Sequence, residues 1–179
     1  MKKISTVIAC YKDEEAIVEM YERLSNILKK TNYNYEIIFV NDGSPDNSEK
    51  LLTKICEKDQ NVTAIFHSRN FGTDNAFSSG MTKSTGDAVI LLDGDLQDPP
   101  ELIPDFISKW EEGYDVVYGE KKEREGSKLM NFLYKLFYKV FNKISYIHIP
   151  LDAGNFALMD KKIVKEINSI KETDRFIRG

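Results

Sequence analysis

Between residues 4 and 118, short apolar runs alternate with longer stretches in which apolar residues recur at helical spacing. The short runs predict five strands, at residues 4–10, 35–40, 62–66, 89–92 and 115–118. The longer stretches predict helices, at residues 13–30, 45–57, a short segment ending near 83, and 100–111. Pro45 is expected in the first turn of the second helix, with Ser44 as its cap. The regular alternation predicts a single α/β domain with a mostly parallel sheet flanked by helices.

The strand at residues 89–92 is apolar throughout, which is typical of a strand covered by helices on both faces. It stops at Asp93-Gly94-Asp95, and the strand at 35–40 likewise ends in a polar, Asp-bearing segment. Ligands of open α/β sheets bind beyond the carboxyl ends of the strands, and carboxylates there are suited to a hard divalent cation. The alternative is an ordinary surface turn, since Asp-Gly is also common turn chemistry.

Composition narrows the classes of function. The 179 residues are 41% hydrophobic and carry a net charge of −4, which argues against a general nucleic-acid binder. Two cysteines, Cys10 and Cys56, are too few for a disulfide framework and fit a reducing, cytoplasmic setting. No signal peptide is evident, and no apolar run approaches the roughly 18 residues that span a bilayer.

Familiar catalytic motifs are missing from the sequence. It contains neither GxGxxG nor GxxxxGK[ST], which argues against a dinucleotide dehydrogenase or a P-loop NTPase. It also lacks the GxSxG elbow of the α/β-hydrolases. The two histidines, His67 and His148, suggest neither a triad nor a zinc site and are expected to be structural or exposed. A nucleotide site built from carboxylates and a metal ion remains.

Four segments in order, residues 11–14, 40–44, 69–72 and 92–101, resemble the family 2 glycosyltransferases, which have the GT-A fold. The sequence Asp-Leu-Gln-Asp-Pro-Pro-Glu within the last segment is similar to the branch that glycosylates polyprenyl phosphates, such as dolichyl-phosphate mannose synthase and bactoprenol glucosyltransferase. The resemblance covers essentially the whole chain. It implies a core for nucleotide-sugar binding over residues 1–120 and an acceptor-side segment over 121–179.

The resemblance also implies roles for individual residues. Tyr11, Asp13 and Asp42 would hold the nucleotide, with Arg69 near the nucleotide or its phosphates. For Asp42 the alternative is a cap on the next helix, and for Arg69 a surface salt bridge.

The metal site follows from the same resemblance. Asp93 would contact the ribose or the metal ion, and Asp95 and Gln97 would be metal ligands. All-oxygen ligands suit Mg²⁺ or Mn²⁺, which would stabilise the leaving nucleoside diphosphate.

The second half of the chain is locally basic. Seven lysine and arginine residues lie between 121 and 143 against two glutamates, and apolar residues recur at helical spacing over about 127–144. This pattern fits a helix at a membrane surface, but also a core-packing helix with a solvated lysine face. The resemblance favours the membrane. Lys121 and Arg124 are expected to meet anionic oxygens of donor or lipid, as catalytic residues alongside Asp95.

Residues 149–159 resemble the acceptor-side motif Asp-x-Gly-Asp-Phe-Arg-Leu of the family. Asp152 matches and would position the acceptor, but Asn155 stands where a second Asp is usual and Ala157 where Arg is usual. A polyprenyl phosphate is itself an anionic nucleophile near pH 7 and needs no strong base. Residues 174–179 resemble the segment before the family's transmembrane helices, so we expect a catalytic domain truncated before them.

The sequence thus predicts a metal-dependent, inverting glycosyltransferase at the cytoplasmic side of the cell membrane. Its donor would be a nucleotide-diphospho-sugar, with UDP-glucose preferred over GDP-mannose, and its acceptor a polyprenyl phosphate. No nucleic-acid partner is expected, and self-association into a homo-oligomer stays open. The alternatives are a saccharide acceptor, a weakly active module that binds sugar nucleotide or lipid, and a nucleotidyltransferase.

Overall fold

The computed structural model of the chain describes residues 2–120 and 153–170. Within these ranges the strands are β1 (Lys3–Cys10), β2 (Asn34–Asn41), β3 (Val62–Phe66), β4 (Ala88–Asp93), β5 (Val116–Glu120) and β6 (Ala153–Asp160). The helices are α1 (Glu14–Leu28), α2 (Ser48–Lys58), α3 (Thr73–Lys83), α4 (Ile103–Glu111) and α5 (Lys161–Ser169). A 3-10 turn at Pro100–Leu102 leads into α4.

The strands form one sheet in the order β3-β2-β1-β4-β6-β5. The pairs β3–β2, β2–β1 and β1–β4 are parallel, whereas β6 runs antiparallel to both of its neighbours, β4 and β5. The predicted α/β architecture with a mostly parallel sheet is therefore confirmed. Strand β6 is an addition, because the sequence reasoning treated its residues only as an acceptor-side motif.

Helices cover both faces of the sheet. Side chains of α1, α2 and α4 pack in one apolar cluster, and those of α3 and α5 pack in a second cluster on the other face. Strand β4 contributes to both: Ile90 and Leu92 to the first, Val89 and Leu91 to the second. Burial of one such side chain stabilises the fold by about 1.5–3 kcal/mol. This double burial explains why β4 is apolar without alternation.

The start of α2 differs from the prediction. The helix begins at Ser48 and not at Pro45, and Ser44 is not its cap. The Ser44 hydroxyl instead accepts a hydrogen bond from the backbone N–H of Lys12, at 2.7 Å, and donates to Asp46. The Asp46 carboxylate also accepts from the N–H of Ser48, at 3.0 Å. Ser44 therefore links the loop after β1 to the loop after β2, and Asp46 accepts a hydrogen bond from the first turn of α2.

Two further observations concern the cysteines and the helices of the described residues. Both cysteines are free thiols, as expected for a chain without a disulfide framework. Among the described residues, no helix has the length and apolar character needed to cross a bilayer.

Candidate active site

The carboxyl ends of β1, β2 and β4 lie side by side at one edge of the sheet. Cys10 of β1 is in register with Asn41 of β2, and Ala9 of β1 with Asp93 of β4. Because β6 runs in the opposite direction, its first residues reach the same edge. A cavity of about 390 Å³ opens there, lined by Ala9, Cys10, Tyr11, Asp13, Asp42, Asn70, Gly72, Thr73, Ala76, Asp93, Gly94, Asp95 and Asn155.

This cavity concentrates negative charge. Four of its described lining residues are aspartates, and none is lysine or arginine. Partial burial raises the pKa of Asp13, and the nearby carboxylate of Asp95 raises it further, against a backbone hydrogen bond that lowers it. Such a cluster favours the binding of a cation.

Gly94 allows the carboxylates to approach one another. A Cβ atom on this residue would lie 2.8 Å from the Cys10 sulfur and 3.1 Å from a carboxylate oxygen of Asp13. The Gly94 N–H also donates to the Ala9 carbonyl at 2.9 Å, which fixes the turn directly after β4. Burial, together with the charge of Asp13, raises the pKa of the Cys10 thiol, which therefore stays neutral at pH 7. Only glycine fits this position without displacing the cluster.

The turn after Gly94 presents Asp95 to the cavity. The Asp95 carboxylate accepts a hydrogen bond from the Gln97 backbone N–H at 3.0 Å. Between them, Leu96 has a left-handed backbone (φ 62°) and packs against the larger apolar cluster. The structure thus brings Asp13, Asp93 and Asp95 together, whereas Gln97 does not line the cavity.

Asp42 organises the loop that precedes α3. One of its carboxylate oxygens accepts from the His67 ring at 2.7 Å and from the Phe71 N–H at 2.9 Å, and the other from the Gly72 N–H at 2.8 Å. His67 also bonds the Ser79 hydroxyl at 2.9 Å, so it has the structural role predicted for it. A carboxylate offers about four acceptor positions, so Asp42 retains room for one further donor. It does not cap α2.

Tyr11 and Arg69 lie at the rim of this edge. Tyr11 lines the cavity with 40% of its surface exposed, and its backbone N–H donates to Asp13 at 2.8 Å. Arg69 is not a lining residue; its guanidinium lies 4.4 Å from the centre of the Phe71 ring. The salt bridge considered for Arg69 is not found among the described residues.

Asn155 and Ala157 occupy different environments on β6. The Asn155 side-chain amide donates to a carboxylate oxygen of Asp93 at 2.8 Å. Ala157 is 6% exposed and packs in the smaller apolar cluster, in register with Leu91 of β4 and Tyr118 of β5. The departure at residue 155 therefore affects the carboxylate cluster at the end of β4.

Several predicted residues lie outside the described ranges. They are Lys121, Arg124, Asp152, His148, the amphipathic segment at 127–144 and the tail at 174–179.

Sequence reasoning gave no role in this cavity to four further lining residues, Cys10, Asn70, Thr73 and Asn155, and noted Asn155 only as a departure within the acceptor-side motif. The position of Cys10 as the last residue of a predicted strand was an available signal. For Asn155 the acceptor-side motif was a signal, but its place beside Asp93 depends on the reversed direction of β6.

The side chains available as metal ligands determine how a metal ion could bind at this edge of the sheet. No group of three or more His, Cys, Asp or Glu side chains within residues 2–120 and 153–170 is arranged to hold a metal ion alone. The carboxylates of Asp93 and Asp95 are hard oxygen donors, and Mg²⁺ is typically bound by one or two carboxylates together with substrate phosphates and water. The residues present therefore fit an ion shared with a diphosphate.

Comparisons with known proteins agree with this geometry. The family model "Glycosyl transferase family 2" matches residues 5–168. The chain is 42% identical to the uncharacterized glycosyltransferase YkcC of Bacillus subtilis, over 98% of this chain and 54% of YkcC. It is 38% identical to the bactoprenol glucosyl transferase of Shigella phage SfX, over 99% of this chain and 58% of that protein. The chain thus spans little more than half the length of these relatives.

A solved structure supports the fold. Glucosyl-3-phosphoglycerate synthase from Mycobacterium tuberculosis, crystallised with Mn²⁺, UDP and phosphoglyceric acid, superposes with a TM-score of 0.65 at 17% identity. The match covers 90% of this chain and 57% of that one. Together with the family match over residues 5–168, the six-stranded α/β sheet shows that the chain belongs to glycosyl transferase family 2 and has the GT-A fold.

Proposed function

We propose that this chain transfers a sugar from a nucleotide-diphospho-sugar of the UDP-glucose type to a polyprenyl phosphate, with inversion at the anomeric carbon. The observation that carries the proposal is the aspartate-rich cavity at the carboxyl edge of the sheet, without a basic side chain among its described lining residues. Such a cavity suits a diphosphate that arrives with a divalent cation. The bactoprenol glucosyl transferase of phage SfX supports the acceptor class.

The donor would bind across the ends of β1, β2 and β4. Tyr11 at the rim would contact the base, and the remaining acceptor position of Asp42 would receive a base N–H. Asp13 would also face the nucleotide, and its carboxylate accepts a hydrogen bond from the Tyr11 backbone N–H, which keeps the two residues next to each other. Arg69 would move from the Phe71 ring to the phosphates.

Asp93 and Asp95 would hold Mg²⁺ or Mn²⁺, and Gln97, which does not line the cavity in this structure, would turn its side chain toward the ion to join them. The ion would neutralise the charge that develops on the leaving nucleoside diphosphate. Before any ion binds, the chain itself has already assembled Asp93 and Asp95 beside Gly94, with Asp13 near them. The known co-crystal of glucosyl-3-phosphoglycerate synthase with Mn²⁺ and UDP supports the choice of ion.

The acceptor would approach from the side of residues 121–152. An oxygen of the lipid phosphate would form a bond to the anomeric carbon, while the bond from that carbon to the diphosphate oxygen breaks and the nucleoside diphosphate leaves with the electron pair. Lys121 and Arg124 would bind anionic oxygens, and Asp152 would position the acceptor. The segment at 127–144 would lie at the cytoplasmic membrane surface.

A turnover assay tests this function. Purified protein is incubated with Mn²⁺ and a panel of UDP- and GDP-sugars, with and without a short polyprenyl phosphate in detergent, and release of nucleoside diphosphate is measured. We expect release that requires lipid and metal and is lost in Asp95→Asn. Asp105→Asn, which removes an exposed carboxylate in the first turn of α4, should retain it.

Other outcomes separate the alternatives. Release with a saccharide in place of the lipid would replace the proposed acceptor. Metal-dependent donor binding without release would support a binding module. Absence of donor binding in the folded protein would contradict the proposed function. NMR of the product anomer checks inversion.

A further inference from the structure

Strand β6 delivers one polar side chain to the carboxylate cluster. The antiparallel register pairs Leu91 with Ala157, which brings Asn155 next to Asp93 although the two residues are far apart in the chain. The Asn155 amide donates to Asp93 at 2.8 Å, and both residues are partly buried. Asn155 is the contribution of β6 to the described lining of the cavity.

The chemistry of this contact depends on the neutral amide. A carboxamide supplies N–H donors, whereas an ionised carboxylate only accepts hydrogen bonds. An Asp at position 155 would therefore lose the bond to Asp93 and would add a further negative charge to a cavity already lined by four aspartates. Partners that orient a metal ligand through a hydrogen bond tune the affinity for the ion.

We propose that Asn155 is a positioning residue of the donor site with two effects. Its amide fixes the orientation of the Asp93 carboxylate, and its neutrality limits the charge of the cluster, so that the ion binds well only together with the diphosphate. This inference rests on the proposed function, since it assumes that Asp93 serves a metal–diphosphate complex.

Each of the two effects predicts a different result for one of two substitutions. Asn155→Ala removes the hydrogen bond without adding charge, so UDP binding in the presence of Mn²⁺ should weaken about tenfold. Asn155→Asp adds a carboxylate beside Asp93, so Mn²⁺ without nucleotide should bind about tenfold more tightly. In Asn155→Asp, UDP should then raise the affinity for Mn²⁺ by a smaller factor than in the unsubstituted protein.

Asn61 provides a matched control. Its side-chain amide donates to Asp59 at 3.1 Å, the same type of contact, but at the opposite edge of the sheet where β3 begins. Asn61→Asp therefore adds the same charge beside a carboxylate without touching the cavity. The affinity for Mn²⁺ without nucleotide and the Mn²⁺-dependent affinity for UDP should both stay within about twofold of the values for the unsubstituted protein, since effects of distant sites are independent.

The experiment measures Mn²⁺ binding by electron paramagnetic resonance and UDP binding by calorimetry, alongside the melting temperature of each variant. The inference is supported if Asn155→Ala weakens Mn²⁺-dependent UDP binding and Asn155→Asp strengthens the binding of Mn²⁺ in the absence of nucleotide. A purely structural role would instead lower both affinities together in both variants, in proportion to lost stability, and would overturn it. Unchanged affinities in both variants would overturn it too. Failure of the unsubstituted protein to bind Mn²⁺ with UDP would contradict the proposed function itself.

Discussion

At the scale of single residues, the site depends on an atom that residue 94 lacks. A Cβ there would meet the sulfur of Cys10 at 2.8 Å and a carboxylate oxygen of Asp13 at 3.1 Å, and neither neighbour is at the end of a long flexible side chain. The cluster must open to admit it. The compact arrangement of the carboxylates is therefore set by backbone geometry as much as by the aspartates.

The substitution Gly94→Ala tests this point. We expect Mn²⁺-dependent UDP affinity to fall at least about tenfold, because the carboxylates separate, with a stability loss of about 1–3 kcal/mol from overpacking. Calorimetry and urea unfolding measure the two effects. Gly119→Ala is the control, because a Cβ there meets its neighbours at an ordinary 3.7 Å. Equal UDP affinity in Gly94→Ala and the control would contradict the role of Gly94.

Asp42 and Asp59 allow a second comparison between the two edges of the sheet. Each carboxylate accepts three hydrogen bonds: Asp42 from His67, Phe71 and Gly72, and Asp59 from Tyr21 and twice from Asn61. Both Asp→Asn variants should lose about 1–3 kcal/mol of stability, since an amide cannot replace all of these acceptors.

Only Asp42→Asn should also weaken nucleotide binding, because its loop lines the cavity. Urea unfolding and UDP titration of both variants check this. Normal UDP affinity in Asp42→Asn would show that neither the loop nor the carboxylate serves the nucleotide.

Residue by residue, strand ends visible in the apolar pattern pointed to Asp42, Asp93 and Asp95, whereas Tyr11 and Asp13 were implied by the family resemblance. Tyr11, Asp13, Asp42, Asp93 and Asp95 all line one cavity. The same pattern says nothing about side-chain direction, so it could not separate these residues from Gln97 and Arg69, which do not line the cavity. It also did not place Asn155 beside Asp93, because this contact depends on a neighbouring strand and not on local sequence.

At the scale of secondary structure, the parallel part of the sheet was predictable and β6 was not. Runs such as the one in β4 are buried on both faces, so their length and composition identify them. Strand β6 contains Gly154 and Asn155 near its start, which weakens the apolar signal. Its antiparallel direction follows from how the chain returns to the sheet, which local propensity does not determine.

Glu36 on β2 gives an element-level prediction at the opposite edge of the sheet. Its carboxylate accepts from the Lys3 ammonium and the Thr85 N–H, both at 2.7 Å, and from the Ser5 hydroxyl. Burial alone would raise its pKa, but these donors outweigh it and hold the pKa below the ordinary value of 4.5. Glu36 therefore joins β1, β2 and the turn before β4.

Glu36→Gln should lower stability by about 1.5–3 kcal/mol at pH 7, the range for hydrogen bonds to charged groups. Because the folded pKa is lowered, this contribution is complete above pH 4.5 and is lost as the pH falls through the folded value. Urea unfolding at pH 7 and at stepwise lower pH should show the difference shrinking. Glu57→Gln, at an exposed position on α2, is the control. A difference that persists at low pH would contradict the ionic role.

For the whole molecule, binding of the nucleotide with the metal ion should raise the free energy of unfolding. A ligand bound only by the folded state at 100 times its dissociation constant contributes about 2.7 kcal/mol. In a domain of this size that corresponds to a rise of about 5–10 °C in melting temperature. We expect the rise with Mn²⁺ and UDP together and a much smaller one with either alone, measured by scanning calorimetry. An equal rise with UDP and EDTA would argue against a shared ion.

The pairing of β5 with β6 has a consequence for the evolution of this fold. Glu120 and Ala153 are register partners, so residues 121–152 leave and rejoin the sheet at neighbouring positions beside the site. Closing a longer loop costs only about 0.6 kcal/mol for each doubling of its length. Insertions, deletions or replacements between Glu120 and Ala153 therefore cost little free energy through loop closure, and the pairing of β5 with β6 can be kept.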